Sequence, residues 1–221
     1  MAKINPIRRA EIGREKRAKT RAQLIAAANS LFARQAVESV TVDDVVKEAG
    51  VAKGTFYVHF DSLAALTVAV AEELVQSFDD LLQPGQASIA EPALRIAFGC
   101  RSFIDKALND SRWASVVARL ATAAPNGGEI ARPRLVEDLQ QFSKELPDDG
   151  ASVELKLEIV VGIMLQIMRA IGEGRLASLD RDDAISAILR AIGLSAQEAK
   201  SLLARLPATP LSENSIESSA N

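Results

Sequence analysis

Apolar residues recur at helical spacing along almost all of this 221-residue chain, and no run of them alternates with the two-residue period of a strand. One such stripe, with the i, i+4, i+7, i+8 spacing of a buried helix face, consists of Leu24, Ala28, Leu31 and Phe32. Because 48% of the residues are hydrophobic, the chain can also bury a sizeable core. These patterns predict an all-α protein.

Clusters of Gly, Pro, Asn and Asp divide the pattern into segments. We expect helices at about 15–35, in TVDDVVKEAG (41–50) and AKGTFYVHF (52–60), from Asp61 or Ser62 to about Leu82, and at about 91–109, 111–123, 134–146, 153–173, 181–193 and 196–206. QPGQAS at 83–88 is expected to break the chain. The final stretch, PATPLSENSIESSAN, is polar, which favours disorder.

Positive charge is concentrated near the N-terminus. Residues 1–60 hold 11 of the 26 basic residues but 6 of the 29 acidic ones, a net charge of +5, whereas residues 61–221 carry −8. A basic front on an acidic body indicates that only the N-terminal part meets a polyanion. On charge alone, a solvated basic tail explains the first residues equally well.

Composition disfavours several classes of protein. The longest apolar runs, such as 62–71 and 159–168, have about half of the roughly 20 residues that span a bilayer. The basic N-terminus lacks the apolar segment of a secretory signal. With one cysteine and one histidine, we expect no disulfide, dedicated metal site or cofactor. Phosphate-binding and nucleophile motifs of enzymes are also missing. We therefore expect a cytoplasmic protein that neither catalyses a reaction nor enters a membrane.

Residues 41–60 predict a helix-turn-helix. Thr41 suits the N-cap of the first helix, Asp44 the reciprocal acid of a capping box, and Gly50 a left-handed C-terminal turn. A short helix follows, in which VAKGTFYVHF holds three aromatic residues and the only histidine. Two helices joined by a tight glycine turn can place the second helix in the major groove of DNA.

Helical geometry gives that second helix two faces. At about 100° per residue, Phe56 and Phe60 share one edge, which we expect to pack on the preceding helices. On the other side, Gly54 lets the backbone approach a groove wall, Thr55 suits a base edge or a phosphate, and Val58 suits a thymine methyl group. Three further residues suit phosphates: Lys53, Tyr57 and His59. A lone tyrosine or histidine beside a core is more often a packing residue, but the segment as a whole favours DNA.

The segment TVDDVVKEAGVAKGTFYVHFDSLAAL (41–66) resembles the DNA-binding signature of the tetracycline-repressor-like (TetR) family of transcription regulators. In that signature a threonine starts the second helix, and a Gly-Thr-aromatic-Tyr-x-x-Phe run forms the recognition helix. The resemblance extends over about 24–66. The helical remainder is similar to the family in layout only.

The resemblance implies a homodimer that binds double-stranded DNA at a palindromic operator, usually as a repressor, and is released by a small hydrophobic effector. By position, the residues that match common DNA contacts are Thr41, Lys53, Gly54, Thr55, Tyr57 and His59. The implied domains are a flexible basic arm (1–16), a helix-turn-helix DNA-binding domain (17–62), a helical effector-binding and dimerisation domain (63–206) and a disordered tail (207–221).

Four positions depart from the family pattern: Leu63 stands for a lysine, Ala52 for a serine or threonine N-cap, Ala36 for a turn glycine and Val46 for an alanine. A lost cap costs roughly 0.5–2 kcal/mol, and alanine tolerates a left-handed turn poorly.

The basic arm is expected to offset the missing lysine. Its residues Arg8, Arg9 and Arg14 would lie along phosphates or enter a minor groove.

Family layout places the effector in the helical body and a four-helix dimer interface at 153–173 and 181–206. The candidate lining residues are Phe98, Phe103, Trp113, Val117, Met164 and Met168, with Arg101, Gln166 and Arg169 as polar anchors. Since aromatic residues make up only 4% of the chain, an aliphatic or mixed ligand is favoured. Apolar residues at helical spacing also fit an ordinary core.

A second interpretation remains open at this point. The chain would be a helical carrier or sensor of hydrophobic small molecules whose DNA-binding head is weak or vestigial. Salt-dependent binding to DNA separates the two interpretations, because a regulator shows a steep slope and a carrier little dependence.

Overall fold

The computed structural model describes residues 6–123, 132–145 and 150–208, and the regular structure within these ranges is helical. The helices are α1 (Pro6–Arg34), α2 (Val42–Ala49), α3 (Lys53–His59), α4 (Leu63–Ala87), α5 (Pro92–Asn109), α6 (Ser111–Ala123), α7 (Arg132–Glu145), α8 (Val153–Gly172), α9 (Arg181–Ala191) and α10 (Ala196–Leu203). A 3₁₀ turn at Val37–Ser39 lies between α1 and α2. The predicted all-α fold is confirmed.

The chain forms two compact units, and the boundary between them falls inside α4. The first unit ends at Ala71 and the second begins at Glu72. The sequence placed a domain boundary at 62/63, where α4 begins. A helix without an internal break carries no local signal for such a division, which depends on the partners that each turn contacts.

In the first unit, α2 packs against both α1 and α3. Its core is formed by buried aliphatic and aromatic side chains, including Leu24, Ala28, Phe32, Val45, Phe56 and Leu66. The predicted buried face of α1 is confirmed at three of its four positions, and Leu31 is half-buried.

Helix α1 begins at Pro6, well before the predicted start near residue 15. Residues 6–16, predicted as a flexible arm, are therefore helical, while residues 1–5 lie outside the described ranges. Proline suits the first helical position because its missing N–H has no helical partner there. The residues that follow are rich in Arg, Ala, Glu and Lys, which favour a helix even where nothing is buried.

Helix α4 continues through Pro84 to Ala87, so the break predicted at 83–88 is wrong. Packing explains the difference. A Cβ atom on Gly85 would lie 2.8 Å from the ring of Phe98, and Leu82 is fully buried in the same cluster. Tertiary contacts of this kind outweigh the low helical propensity of proline and glycine.

In the second unit, α8 packs against α5, α6, α7 and α9. Its main core holds large buried aliphatic side chains, among them Ile96, Ile104, Leu139, Ile185, Ile188 and Leu189. Helices α5 to α10 begin and end within three residues of the predicted bounds. No described helix has both the length and the apolar character to cross a membrane. The predicted disordered tail lies outside the described ranges from residue 209 onwards.

Candidate nucleic-acid interface and effector site

Reciprocal hydrogen bonds fix the start of α2. The Thr41 hydroxyl accepts from the backbone N–H of Asp44 at 3.2 Å, and the Asp44 carboxylate accepts from the Thr41 N–H at 2.9 Å. Hydrogen bonds from the Thr41 side chain and backbone hold the pKa of Asp44 below its ordinary value. At the other end, Gly50 has φ 67° and the N–H of Val51 donates to the Val46 carbonyl at 3.0 Å. The predicted capping box and left-handed turn are confirmed.

The inner side of α3 is anchored by two aromatic side chains. Phe56 is 0% exposed and Phe60, at the C-terminal end of the helix, is 5% exposed. The ring of Tyr57 meets Phe56 edge-on at 5.3 Å, and the guanidinium of Arg21 in α1 lies 5.1 Å from the centre of the Phe60 ring. These contacts fix the orientation of a helix of only seven residues.

The outer side of α3 faces solvent. Tyr57 is 53% and Val58 67% exposed, Lys53 and Gly54 are exposed, and Thr55 and His59 are half-buried. A Cβ atom on Gly54 would meet nothing within 4 Å, so packing inside the protein does not require glycine there. Six of the predicted DNA-contacting residues thus belong to one short helix. Thr41, the seventh, is exposed at the start of α2 with its hydroxyl engaged in the cap.

Lys53 forms an ion pair across the turn. Its Nζ lies 2.9 Å from a carboxylate oxygen of Asp43 in α2, and both side chains are largely exposed. The hydrogen bond and the negative charge of Asp43 raise the pKa of Lys53. Sequence reasoning gave Asp43 no role, because a pair between two helices depends on their crossing angle, which local patterns do not define.

Two of the four departures from the family pattern have local solutions. Ala52 gives α3 no side-chain cap, but its carbonyl accepts the N–H of Thr55 at 2.8 Å, which tightens the first turn. Ala36 has φ −62°, so the turn after α1 needs no left-handed residue, contrary to the expectation for an alanine there. Of the two predicted caps of α4, Ser62 makes the hydrogen bond: its hydroxyl accepts from the N–H of Ala65 at 3.1 Å.

Three aromatic rings meet in the second unit. The ring centres of Phe78 and Phe103 are 4.8 Å apart, and Trp113 lies 5.4 Å from Phe78 and 6.0 Å from Phe103. Phe103 and Trp113 also pack against a buried cluster that contains Val117 and Met168. Sequence reasoning missed Phe78 as a member of this site, because its spacing on α4 showed only that it is buried.

The remaining candidate lining residues, Phe98 and Met164, belong to buried clusters that Phe103 contacts. Phe103 packs against the cluster of Phe98 and against the main core that contains Met164. The polar anchors are placed differently from the expectation: Gln166 and Arg169 are exposed, and Arg169 pairs with Glu173. Arg101 pairs with Asp182 at the start of α9.

Two family models match the chain. Residues 24–70 match the model for bacterial regulatory proteins of the tetR family, and residues 91–205 match the tetracyclin repressor-like C-terminal domain. The chain belongs to the TetR family of transcriptional regulators. The resemblance drawn from residues 41–66 is thereby confirmed, and the match now includes the helical body, for which the sequence offered layout alone.

Relatives and solved structures agree with this membership. The probable HTH-type transcriptional regulator ArpR of Pseudomonas putida is 28% identical over 169 residues, which are 74% of this chain and 71% of that protein. The HTH-type transcriptional regulator TtgR, also of Pseudomonas putida, is 26% identical over 182 residues, 79% of this chain and 77% of TtgR. The structure of RolR with resorcinol has a TM-score of 0.70 and 28% identity, covering 88% of this chain and 98% of RolR.

The family and these relatives are transcriptional regulators, and no enzyme family is indicated. More distant structures share the fold alone. FadR of Bacillus subtilis in complex with stearoyl-CoA, for instance, has a TM-score of 0.59 at 17% identity, covering 79% of this chain and 99% of FadR. The individual DNA contacts and the effector-lining residues stay predictions.

Proposed function

We propose that the chain is a ligand-responsive repressor that binds a palindromic operator as a homodimer and leaves it when a small hydrophobic effector binds. The observation that carries this proposal is the outer side of α3. This seven-residue helix and its C-cap bury Phe56 and Phe60, and the helix leaves Tyr57 and Val58 more than half exposed. Large apolar side chains held in solvent on a rigid helix suit contact with another molecule. Such a regulator works in the cytoplasm, where the DNA is.

Each exposed residue of α3 has a chemistry that fits a groove. Gly54 lets the backbone approach the groove wall, and Thr55 and Val58 suit a base edge and a thymine methyl group. Lys53, Tyr57 and His59 suit phosphate oxygens, which fix the register of the helix on the duplex. Thr41 is exposed at the start of α2, and its N–H and hydroxyl both donate to Asp44, so a phosphate contact there requires the hydroxyl to leave that carboxylate.

A palindromic operator requires two heads, since half-sites lie about 34–36 Å apart. A stripe on α8 supports a contact between two copies of the chain. Leu155 is 53% exposed although it is apolar, and one and two turns later follow the half-buried Ile159 and the exposed Gly162. Spacing of i, i+4 and i+7 places these residues on one face, where glycine permits close approach of a second helix.

We place the effector against Phe103, beside Phe78, Trp113, Val117 and Met168. Three of the few aromatic residues meet at this point, and Met168 offers an adaptable apolar surface. This clustering favours a small aromatic effector over the aliphatic or mixed one that composition favours. RolR, similar over most of the chain, was solved with resorcinol, a small phenol.

Operator selection tests the first half of the proposal. Full-length protein is incubated with a library of duplexes that carry a random central segment, and bound duplexes are sequenced. We expect a palindrome with two half-sites. A carrier with a silent head would retain no preferred sequence, although it would still bind ligands.

Ligand release tests the second half. Resorcinol and hexane-1,6-diol, an aliphatic diol of similar size, are titrated into the protein–operator complex and release is followed by fluorescence anisotropy. We expect resorcinol to release DNA at lower concentration than the diol. Trp113→Leu should keep operator affinity but lose most of this response. Equal responses of both proteins to both diols would contradict the proposed site.

A further inference from the structure

The first half of α1 is an exposed, positively charged helix. Residues 6–22 contain seven basic and two acidic residues, and the side chains of 11–19 are all exposed. Within the described ranges, no carboxylate forms an ion pair with Arg14, Arg17 or Lys19. Neither packing nor ion pairs within the described ranges therefore account for these positive charges.

Three of the seven basic residues in this segment, Arg14, Arg17 and Arg21, lie on one side of the helix. At about 100° per residue, Arg17 lies about 20° from the fully buried Leu24, whereas Arg21 and Arg14 lie about 60° and 80° from it. By the same spacing Glu15 lies about 180° and Lys19 about 140° away. These three arginines continue the face of α1 that packs into the first unit, whereas Glu15 and Lys19 lie on the opposite side.

The row formed by Arg21, Arg17 and Arg14 starts beside the C-terminal end of α3. The guanidinium of Arg21 lies over the ring of Phe60, directly after the last turn of α3. From there Arg17 and Arg14 follow at intervals of about one turn, each about 5 Å further along α1. A row of basic side chains therefore extends along α1 from the end of α3 and away from the core of the first unit.

We propose that the arginine face of α1, formed by Arg14, Arg17 and Arg21, binds the phosphate backbone of the duplex that flanks each half-site. This inference rests on the proposed function, because it extends the DNA surface read by α3. From Arg14 to Arg21 the helix rises about 10 Å, equivalent to about three base pairs of 3.4 Å. It adds contacts that carry no base specificity and compensates for Leu63, which has no charge to offer.

The helical form decides where these contacts lie. An α-helix with its side chains is about 10–12 Å wide, and the minor groove of B-DNA is about 6 Å wide. Residues 6–16 of the arm therefore lie along the backbone and do not enter the minor groove, the other placement that the sequence allows. A preformed helix also loses less conformational freedom on binding than a flexible arm would.

A matched pair of variants tests this inference. Arg17→Gln and Lys19→Gln each remove one exposed positive charge, two residues apart, from the arginine face and from the opposite face. Both proteins and the wild type are titrated by anisotropy against two duplexes of equal length at several salt concentrations. One duplex has charged flanks, and the other has uncharged methylphosphonate linkages next to each half-site. Circular dichroism checks that the helix content is unchanged.

On the charged duplex, we expect Arg17→Gln to bind more weakly and to reduce the slope of log K against log salt by about 0.9 per head, as for one lost phosphate contact. Lys19→Gln should behave like the wild type. On the uncharged flanks, all three proteins should bind alike. Equal weakening by both variants, or weakening by neither, would overturn the inference while operator binding stands. Failure of the wild type to bind either operator duplex would overturn the proposed function and the inference with it.

Discussion

The two sides of α3 have different roles: we expect its buried residues to determine the stability of the first unit and its solvent-facing residues to determine the affinity for DNA. Phe56 and Phe60 are needed for the fold because they are buried, whereas the side chains that face solvent contribute little to it. Position on a 3.6-residue helix was sufficient to predict this division. The partner of Lys53 was not predictable in this way, because Asp43 approaches it only through the angle between α2 and α3.

Gly54→Ala should change stability and DNA binding in opposite directions. A methyl group at this position meets nothing inside the protein, and alanine favours a helix interior over glycine by about 0.5–1 kcal/mol. We therefore expect a higher midpoint of thermal unfolding together with weaker operator binding, because the backbone can no longer approach the groove as closely. An alanine variant that is more stable and binds the operator as tightly as the wild type would show that α3 does not approach DNA at Gly54.

Asp43→Asn should strengthen DNA binding. In the free protein the carboxylate holds the Lys53 ammonium at 2.9 Å, so the ammonium must leave this partner before it binds a phosphate. Loss of the carboxylate frees Lys53 and removes a charge that repels the DNA backbone. We expect a lower Kd, with the largest gain at low salt, measured by anisotropy. Glu38→Gln, which removes an exposed charge that pairs with no described residue, is the control, and an equal gain in both variants would contradict the role of Asp43.

At the scale of elements, local chemistry was sufficient to predict most helix ends. Thr41, Gly50 and Ser62 act within one turn of themselves, so the sequence around them contains the whole cause. The two errors have a different origin. Helix α4 passes through Pro84 because Gly85 and Leu82 pack against Phe98, a residue that is distant in sequence. The early start of α1 reflects helix propensity, which the search for a buried stripe did not weigh.

The contact between α6 and α8 should be intolerant of added volume at Gly172. A Cβ atom there would lie 2.9 Å from backbone atoms of Ser115. Overpacking of this kind costs typically about 1–3 kcal/mol, so we expect Gly172→Ala to lower the free energy of unfolding in urea by that amount. Gly99→Ala is the matched control, since only the end of the flexible Gln86 side chain lies near, at 3.1 Å. A loss as large at Gly99 as at Gly172 would show that the close helix contact is not the cause.

At the scale of the whole molecule, ion pairs connect helices that are distant in sequence within the second unit. Arg95 in α5 donates to Asp138 in α7 at 2.6 Å, and Arg134 in α7 donates to Asp79 in α4 at 2.6 Å. Burial raises the pKa of both carboxyl groups, although each arginine opposes the effect. Because desolvation outweighs the attraction, these pairs fix the arrangement of α4, α5 and α7 more than they add to stability.

The pH dependence of unfolding follows from the sign of this shift. A carboxyl group whose pKa is raised in the folded state binds more protons there than in the unfolded chain, so stability falls as pH rises through the folded pKa. We expect wild-type protein to lose stability relative to Asp138→Asn between about pH 4, near the unfolded pKa, and neutral pH. Urea unfolding of both proteins across this range measures the difference. A difference that stays constant, or that moves in favour of the wild type, would show that burial does not dominate at Asp138.

The sequence predicted the candidate site of the first unit better than that of the second unit. The candidate DNA-contacting residues of the first unit lie in one contiguous segment. The residues from Thr41 to Phe60 therefore predicted both the helix-turn-helix and the exposed face of α3. The proposed effector site combines Phe78, Phe103 and Trp113 from three helices, and the convergence of these rings depends on how those helices pack. The sequence placed Phe78 on the apolar face of α4 and named Phe103 and Trp113 as candidate lining residues, but it did not indicate that the three rings meet.

The most direct test of the central claim is an anisotropy titration of full-length protein against three duplexes of one length. The first is the selected palindrome, the second has one half-site scrambled, and the third has both scrambled. We expect affinity to fall in two steps from the first duplex to the third, with a steep salt dependence throughout, because two copies of α3 each read one half-site. Equal affinity for all three duplexes would contradict sequence-specific recognition by α3.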